Sequence, residues 1–134
     1  MELFEQFFKQ KEIKFKAWDR KRKTMIPCAT VDMEWHKMRT KEKDRYILVQ
    51  YTGLKDKNGK EIYEGDILQG WNNKKYGGNG TFPTGYSVVE FKNGCFQVFG
   101  RPIWDALNDS LTPNSVEVIG NIFENPELLN PDNF

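Results

Sequence analysis

Residues 50–66, QYTGLKDKNGKEIYEGD, constrain the fold of this chain more than any other stretch. They continue a run at 45–52, RYILVQYT, whose β-branched and aromatic residues read as a central strand. Asn58-Gly59 then supplies a tight turn, because both residue types tolerate positive φ. A short extended piece at 61–63 leads to Gly65-Asp66, where a glycine lets the chain swing sharply from one sheet to the next, as small barrels do at their corners. A second pair, Asn93-Gly94, joins runs at 86–91 and 95–99 into a predicted hairpin. Short strands joined by such turns specify a small β-rich domain.

Further strands fit this frame. IKFKAW at 13–18 alternates Ile13, Phe15 and Ala17 against Lys14, Lys16 and Trp18, the period of a half-buried strand. Segments 24–26, 30–38, 67–71 and 116–119 read as strands too. Helical expectations are few. Leu3, Phe4, Phe7 and Phe8 lie at helical spacing in the first ten residues, a segment too short to be stable unless docked. Residues 102–110 carry Pro102 near the start of a helical turn or two, and Asn125 caps a turn that begins with Pro126. The domain division is an amphipathic extension at 1–11 and a β domain at 12–134. Ten Phe, five Tyr and four Trp supply enough buried area for a core without disulfides.

The near-zero net charge hides an asymmetry. Residues 1–60 hold 16 Lys and Arg against 9 Asp and Glu, whereas residues 61–134 hold 4 against 10. Two readings follow: strands from both halves intermix and the surface is a mosaic, which the rule that charge runs are solvated faces favours, or a basic face meets nucleic acid or an acidic neighbour. Cys28 and Cys95 form no metal-ligand spacing or disulfide framework. The start, MELFEQFFKQK, lacks the pattern of a secretion signal, and no run is apolar enough to span a bilayer, so the expected setting is cytoplasmic with no membrane partner. The sequons at Asn79 and Asn108 are then chance matches.

Chemistry is sparse in the pattern. His36 is the sole histidine and sits in a strand-like segment, with no local signature that would pair it with Cys28 or Cys95 as base and nucleophile. One histidine and two distant cysteines do not make a zinc site. Glu61, Glu64 and Asp66 cluster, but without the order of a calcium loop; a turn in which the Asp66 carboxylate accepts backbone N–H bonds explains them better. The Gly-rich segment at 72–85 lacks the order of a phosphate loop. No catalytic residue, metal or cofactor is expected. The candidate binding surface is Trp71, Lys74, Lys75 and Tyr76, aromatic and cationic side chains on one turn-rich segment. Such a set suits stacking on single-stranded nucleic acid, with the basic stretch 14–23 as a phosphate track, although a rim tryptophan beside solubilising lysines is the simpler account.

Three blocks together resemble the YopX family of bacteriophages and prophages: IKFKAWD at 13–19, YTGLKDKNGKEIYEGDIL at 51–68, and VEVIGNIFENPELL at 116–129. Their order and spacing match over nearly all of the chain from about residue 12. The resemblance implies a mainly β fold, a small SH3-like β-barrel or roll with short flanking helices, and carries no activity or catalytic residue with it. It implies a phage or prophage accessory protein in the cytoplasm of a bacterial host. The resulting expectation is a non-enzymatic module for protein interaction or self-assembly, the latter through Phe4, Phe7 and Phe8, with a protein partner or a second copy. A nucleic-acid-binding β-barrel is the alternative.

Overall fold

A computed structural model describes residues 12–27, 44–70, 85–107 and 115–130. Its first sheet has the order β2-β1-β3-β4, built from β1 (Phe15–Asp19), β2 (Thr24–Ile26), β3 (Tyr46–Lys55) and β4 (Glu61–Tyr63). A second holds β5 (Asp66–Gln69) between β10 (Glu117–Asn121) and β6 (Tyr86–Val88). The third is β7 (Glu90–Lys92), β8 (Cys95–Val98) and β9 (Arg101–Pro102). One helix, α1 (Ile103–Leu107), and a 3₁₀ turn (Pro126–Leu129) complete the described elements. The molecule is mainly β, a curled half-barrel with few helices.

Among the described residues the sheets divide the chain at the corner around Gly65. The first sheet lies wholly within residues 15–63 and the other two within 66–121. The division by sheet does not follow the division by charge: β4 brings Glu61 of the acidic half into the first sheet, where it pairs with Lys14 at 2.6 Å. Gly65 has φ +88°, and a Cβ placed there would sit 3.0 Å from the Phe123 ring. The corner was expected and both constraints require glycine. The Asp66 carboxylate accepts the Tyr63 N–H at 2.8 Å, as the turn reading anticipates.

The two Asn-Gly turns differ. Asn93 and Gly94 both have positive φ, 54° and 80°, and close the two-residue hairpin between β7 and β8. At the other, only Gly59 does so. Five residues separate β3 from β4, so the turn is held by a side chain: Asp56 Oδ1 accepts the N–H groups of Asn58 and Lys60 at 2.8 and 2.9 Å.

The predicted strand at 86–91 is also interrupted. Val89 donates its N–H to the Asp66 carbonyl and accepts from Gly65, and beyond it the strand changes partner from β5 to β8. The β1 strand starts at Phe15, leaving Ile13 exposed. Of the helical stretch expected at 102–110, Ile103–Leu107 is helical and 108–110 lie outside the described residues, while Asn125 spends its side chain on the Asn121 N–H instead of capping the 3₁₀ turn. The expected strand at 30–38 lies outside the described residues.

Two apolar clusters fill the interior. The larger, around Ile62, Leu68, Val89, Val98 and Val116, is sealed by Ala106 and Leu107 of α1. Full burial of each such aliphatic stabilises by about 1.5–3 kcal/mol relative to exposure. The smaller comprises Val49, Tyr51 and Tyr63, with Met25 and Phe123 against it, and Trp18 stacks on Phe123 at 5.5 Å. It backs onto the side of the half-barrel that the strands leave open.

Candidate functional site

Beyond the shared apolar core, hydrogen bonds link the walls at two places among the described residues. At one end Asp56, 3 % exposed, joins them. Besides closing its own turn, it accepts the Val118 N–H of β10 at 2.9 Å through Oδ2, and Lys57 N–H reaches the Val116 carbonyl at 3.0 Å. One carboxylate thus satisfies three backbone donors, each bond to a charged acceptor contributing about 1.5–3 kcal/mol. Asp19, at the far end of β1, makes a similar knot within the first wall. It receives Arg45 Nε and Nη2 at 2.9 and 2.8 Å and the N–H groups of Lys21 and Arg22. The Arg45 guanidinium holds that carboxyl well below the usual range, against the opposing effect of burial.

At the other meeting place the walls stay apart. Glu64 N–H bonds the Gln50 carbonyl of β3 at 2.9 Å and Gly65 N–H bonds the Val89 carbonyl at 2.8 Å, so the corner bridges the two strands there. Past the corner the chain turns inward to β5. A groove of about 730 Å³ remains between β3 and the β6–β7 strand. Its walls include Ile47, Leu48, Val88 and Phe91, and its floor Ile122, Phe123 and Leu129. Phe91 is 55 % exposed and Ile47 38 %, and the Phe91 ring meets Phe96 edge-on at 5.1 Å. Large apolar side chains left open beside a groove mark a contact surface more often than scattered exposed ones do.

A polar cleft of about 490 Å³ lies on the opposite flank of β4, with Lys16, Lys60, Tyr63, Asp66, Asn121 and Asn125 in its lining. Burial pushes the Asp66 carboxyl up to about 6, against the Tyr63 N–H bond and the fields of Lys16 and Lys60. Lys16 Nζ stands 4.2 Å over the Tyr63 ring. Glu61 faces elsewhere: it accepts Lys14 Nζ at 2.6 Å and the Tyr63 hydroxyl at 3.2 Å. Glu61 and Asp66 therefore serve different partners, and among the described residues no three His, Cys, Asp or Glu side chains converge as metal ligands.

The expected binding residues Trp71, Lys74, Lys75 and Tyr76 lie outside the described residues, as do Phe4, Phe7 and Phe8, and also Cys28 and His36. Cys95 is a partly buried free thiol. Of the basic stretch, Lys14 is paired with Glu12 and Glu61 and Lys16 with the Tyr63 ring, which leaves the exposed turn at 20–23 as its open portion. Sequence reasoning missed Asp56, whose aspartate two residues before an Asn-Gly pair is a usable sign of a side-chain-closed turn. It missed the groove altogether, since no residue pattern marks a strand edge that loses its neighbour.

An open-sided β half-barrel with an apolar groove is the class that fold and site define. The YopX protein family model matches residues 11–130, and the chain belongs to that family. It is similar to the crystal structure of protein EF1440 from Enterococcus faecalis, at 31% identity and a TM-score of 0.64, over 90% of this chain and 100% of that one. No curated protein matches it. No helix among the described residues is long and apolar enough to cross a membrane.

Proposed function

We propose that this domain is a non-enzymatic interaction module whose groove between β3 and the β6–β7 strand receives a protein partner. The half-barrel would work in the manner of an SH3-like roll, in which a small β scaffold offers one side for binding. The observation that carries this reading is the contrast in finish around the walls. The Asp56 end is sewn shut through buried hydrogen bonds, while the groove keeps an apolar floor with Phe91 and Ile47 exposed on its rim. The expected setting is a phage or prophage product in the bacterial cytoplasm, and self-assembly through Phe4, Phe7 and Phe8 is one form the interaction takes. The nucleic-acid alternative is weakened because Lys14 and Lys16 are engaged internally.

Light scattering and affinity capture on the full chain and on an Ile47→Asp, Phe91→Asp double variant test the proposal. The wild type should form an assembly or retain a partner that the variant loses. Equal behaviour of the two proteins would remove the groove from the function.

A further inference from the structure

Resting on that reading, we propose that the groove takes one extended segment of a partner protein as an added β-strand, its main chain pairing with Leu48 of β3 and Phe91 of β7. The register fixes which backbone groups face the groove. Tyr51 N–H bonds Lys14 and Arg20 N–H bonds the Arg45 carbonyl, so residues 45, 47, 49 and 51 turn their polar groups toward the β1 side. By the alternation of antiparallel pairs, Leu48 turns its N–H and carbonyl the other way. That edge is covered by β4 only along Tyr51–Lys55 and by Glu64 at Gln50. Below Gln50 it borders the groove, where Leu48 is part of the lining.

The opposite wall repeats the arrangement. The two-residue Asn93-Gly94 turn makes Lys92 and Cys95 a hydrogen-bonded pair, and hence Glu90 and Gln97 as well. Phe91 therefore turns its N–H and carbonyl away from β8, along the edge by which Val89 bonds Gly65 and Asp66. Both walls thus offer main-chain groups to one space. The corner shows its width: there a single strand of chain, Glu64-Gly65, bonds Gln50 on one side and Val89 on the other. The groove is the continuation of the line that β4 abandons at Gly65.

These features select the occupant. An extended segment supplies main-chain donors and acceptors to both edges and sends every second side chain to the floor at Ile122 and Phe123, whereas a helix has none to give. Pairing with the β7 edge of a second copy is limited to three residues, because Val89 is already bonded. Charge narrows the choice further. The Glu90 carboxylate is held by Lys92 Nζ at 2.9 Å, while Glu64 makes no ion pair among the described residues and leaves the lip acidic. The segment should therefore carry apolar residues at alternate positions and a lysine or arginine toward Glu64.

The test is selection of displayed random dodecapeptides on the full chain, followed by binding and amide exchange with the recovered peptides. Apolar residues should recur at every second position, and Leu48 and Phe91 amides should gain protection on binding. Phe91→Leu should retain affinity. Phe91→Pro removes the ring together with an N–H that β8 does not use, so its affinity should fall about tenfold below that of Phe91→Ser, which loses the ring and keeps the N–H, the scale of one lost hydrogen bond. Peptides that occupy the groove with a three-to-four-residue spacing, leaving Leu48 and Phe91 unprotected, would overturn strand addition and spare the interaction reading. Absence of any groove-binding peptide would count against both.

Discussion

The Asp56 end and the groove are the same kind of place, a junction between a wall from the first half of the chain and a wall from the second, and they are finished in opposite ways. At Asp56 a buried carboxylate spans the junction and no main-chain donor around it is left over. At the groove the corner ties the walls once, through Glu64 and Gly65, and then withdraws, exposing apolar side chains and two strand edges. The difference separates stability from availability. Polar closure makes one junction rigid and specific, and its absence at the other keeps a surface that unpaired β edges would otherwise make hazardous.

The largest effect is expected at Asp56. Asp56→Ala orphans three backbone donors and should cost about 3–5 kcal/mol in urea unfolding, with no change in which peptides the remaining folded protein binds. The next effect concerns Asp66, between the two junctions. Its folded pKa of about 6 lies above the ordinary 3.8, so the native state holds the proton more tightly than the unfolded chain. Its contribution is therefore favourable at low pH and is lost as pH rises from about 4 to about 6. Asp66→Asn, which keeps an oxygen for Tyr63 N–H, should gain about 2 kcal/mol at pH 8 and flatten this part of the pH profile. Unfolding of both proteins at pH 4.5 and about pH 8 reads the sign directly.

Gly65→Ala sharpens the contrast at the corner itself. Positive φ and the Phe123 ring 3.0 Å away should make it cost about 1–2 kcal/mol, with shifted Phe123 resonances as the sign that the groove floor has moved. Smallest in stability is Phe91→Ser. The ring is more than half exposed, so thermal unfolding should change by about 0.5–1 kcal/mol, most of it the lost contact with Phe96, while groove binding falls steeply.

Much of this architecture is legible in residues that act locally. Asn93-Gly94 announces its hairpin because both positive φ values belong to adjacent residues, and Gly65-Asp66 announces a corner because the glycine and the carboxylate act within one turn. Asp56 is legible only in part. Its bonds to Asn58 and Lys60 follow from a turn motif, but the bond to Val118 spans 62 residues and depends on where β10 arrives. The same holds for Asp19 and Arg45, 26 residues apart. The groove is least legible of all: Leu48 and Phe91 look like ordinary strand residues, and what distinguishes them is a neighbour that turns away at Gly65. Trp71, Lys74, Lys75 and Tyr76 stand out for their chemistry on a turn-rich segment, a signal independent of how the walls meet.

Native-state hydrogen exchange on the free protein reads the two open edges without a ligand. Strand edges open at the groove predict that the amides of Leu48 and Phe91 exchange fast, while those of Ile47, Val49 and Lys92, bonded within their sheets, exchange slowly. Leu48 and Phe91 amides as protected as these neighbours would mean that the groove is already filled by the chain itself, and would contradict the account.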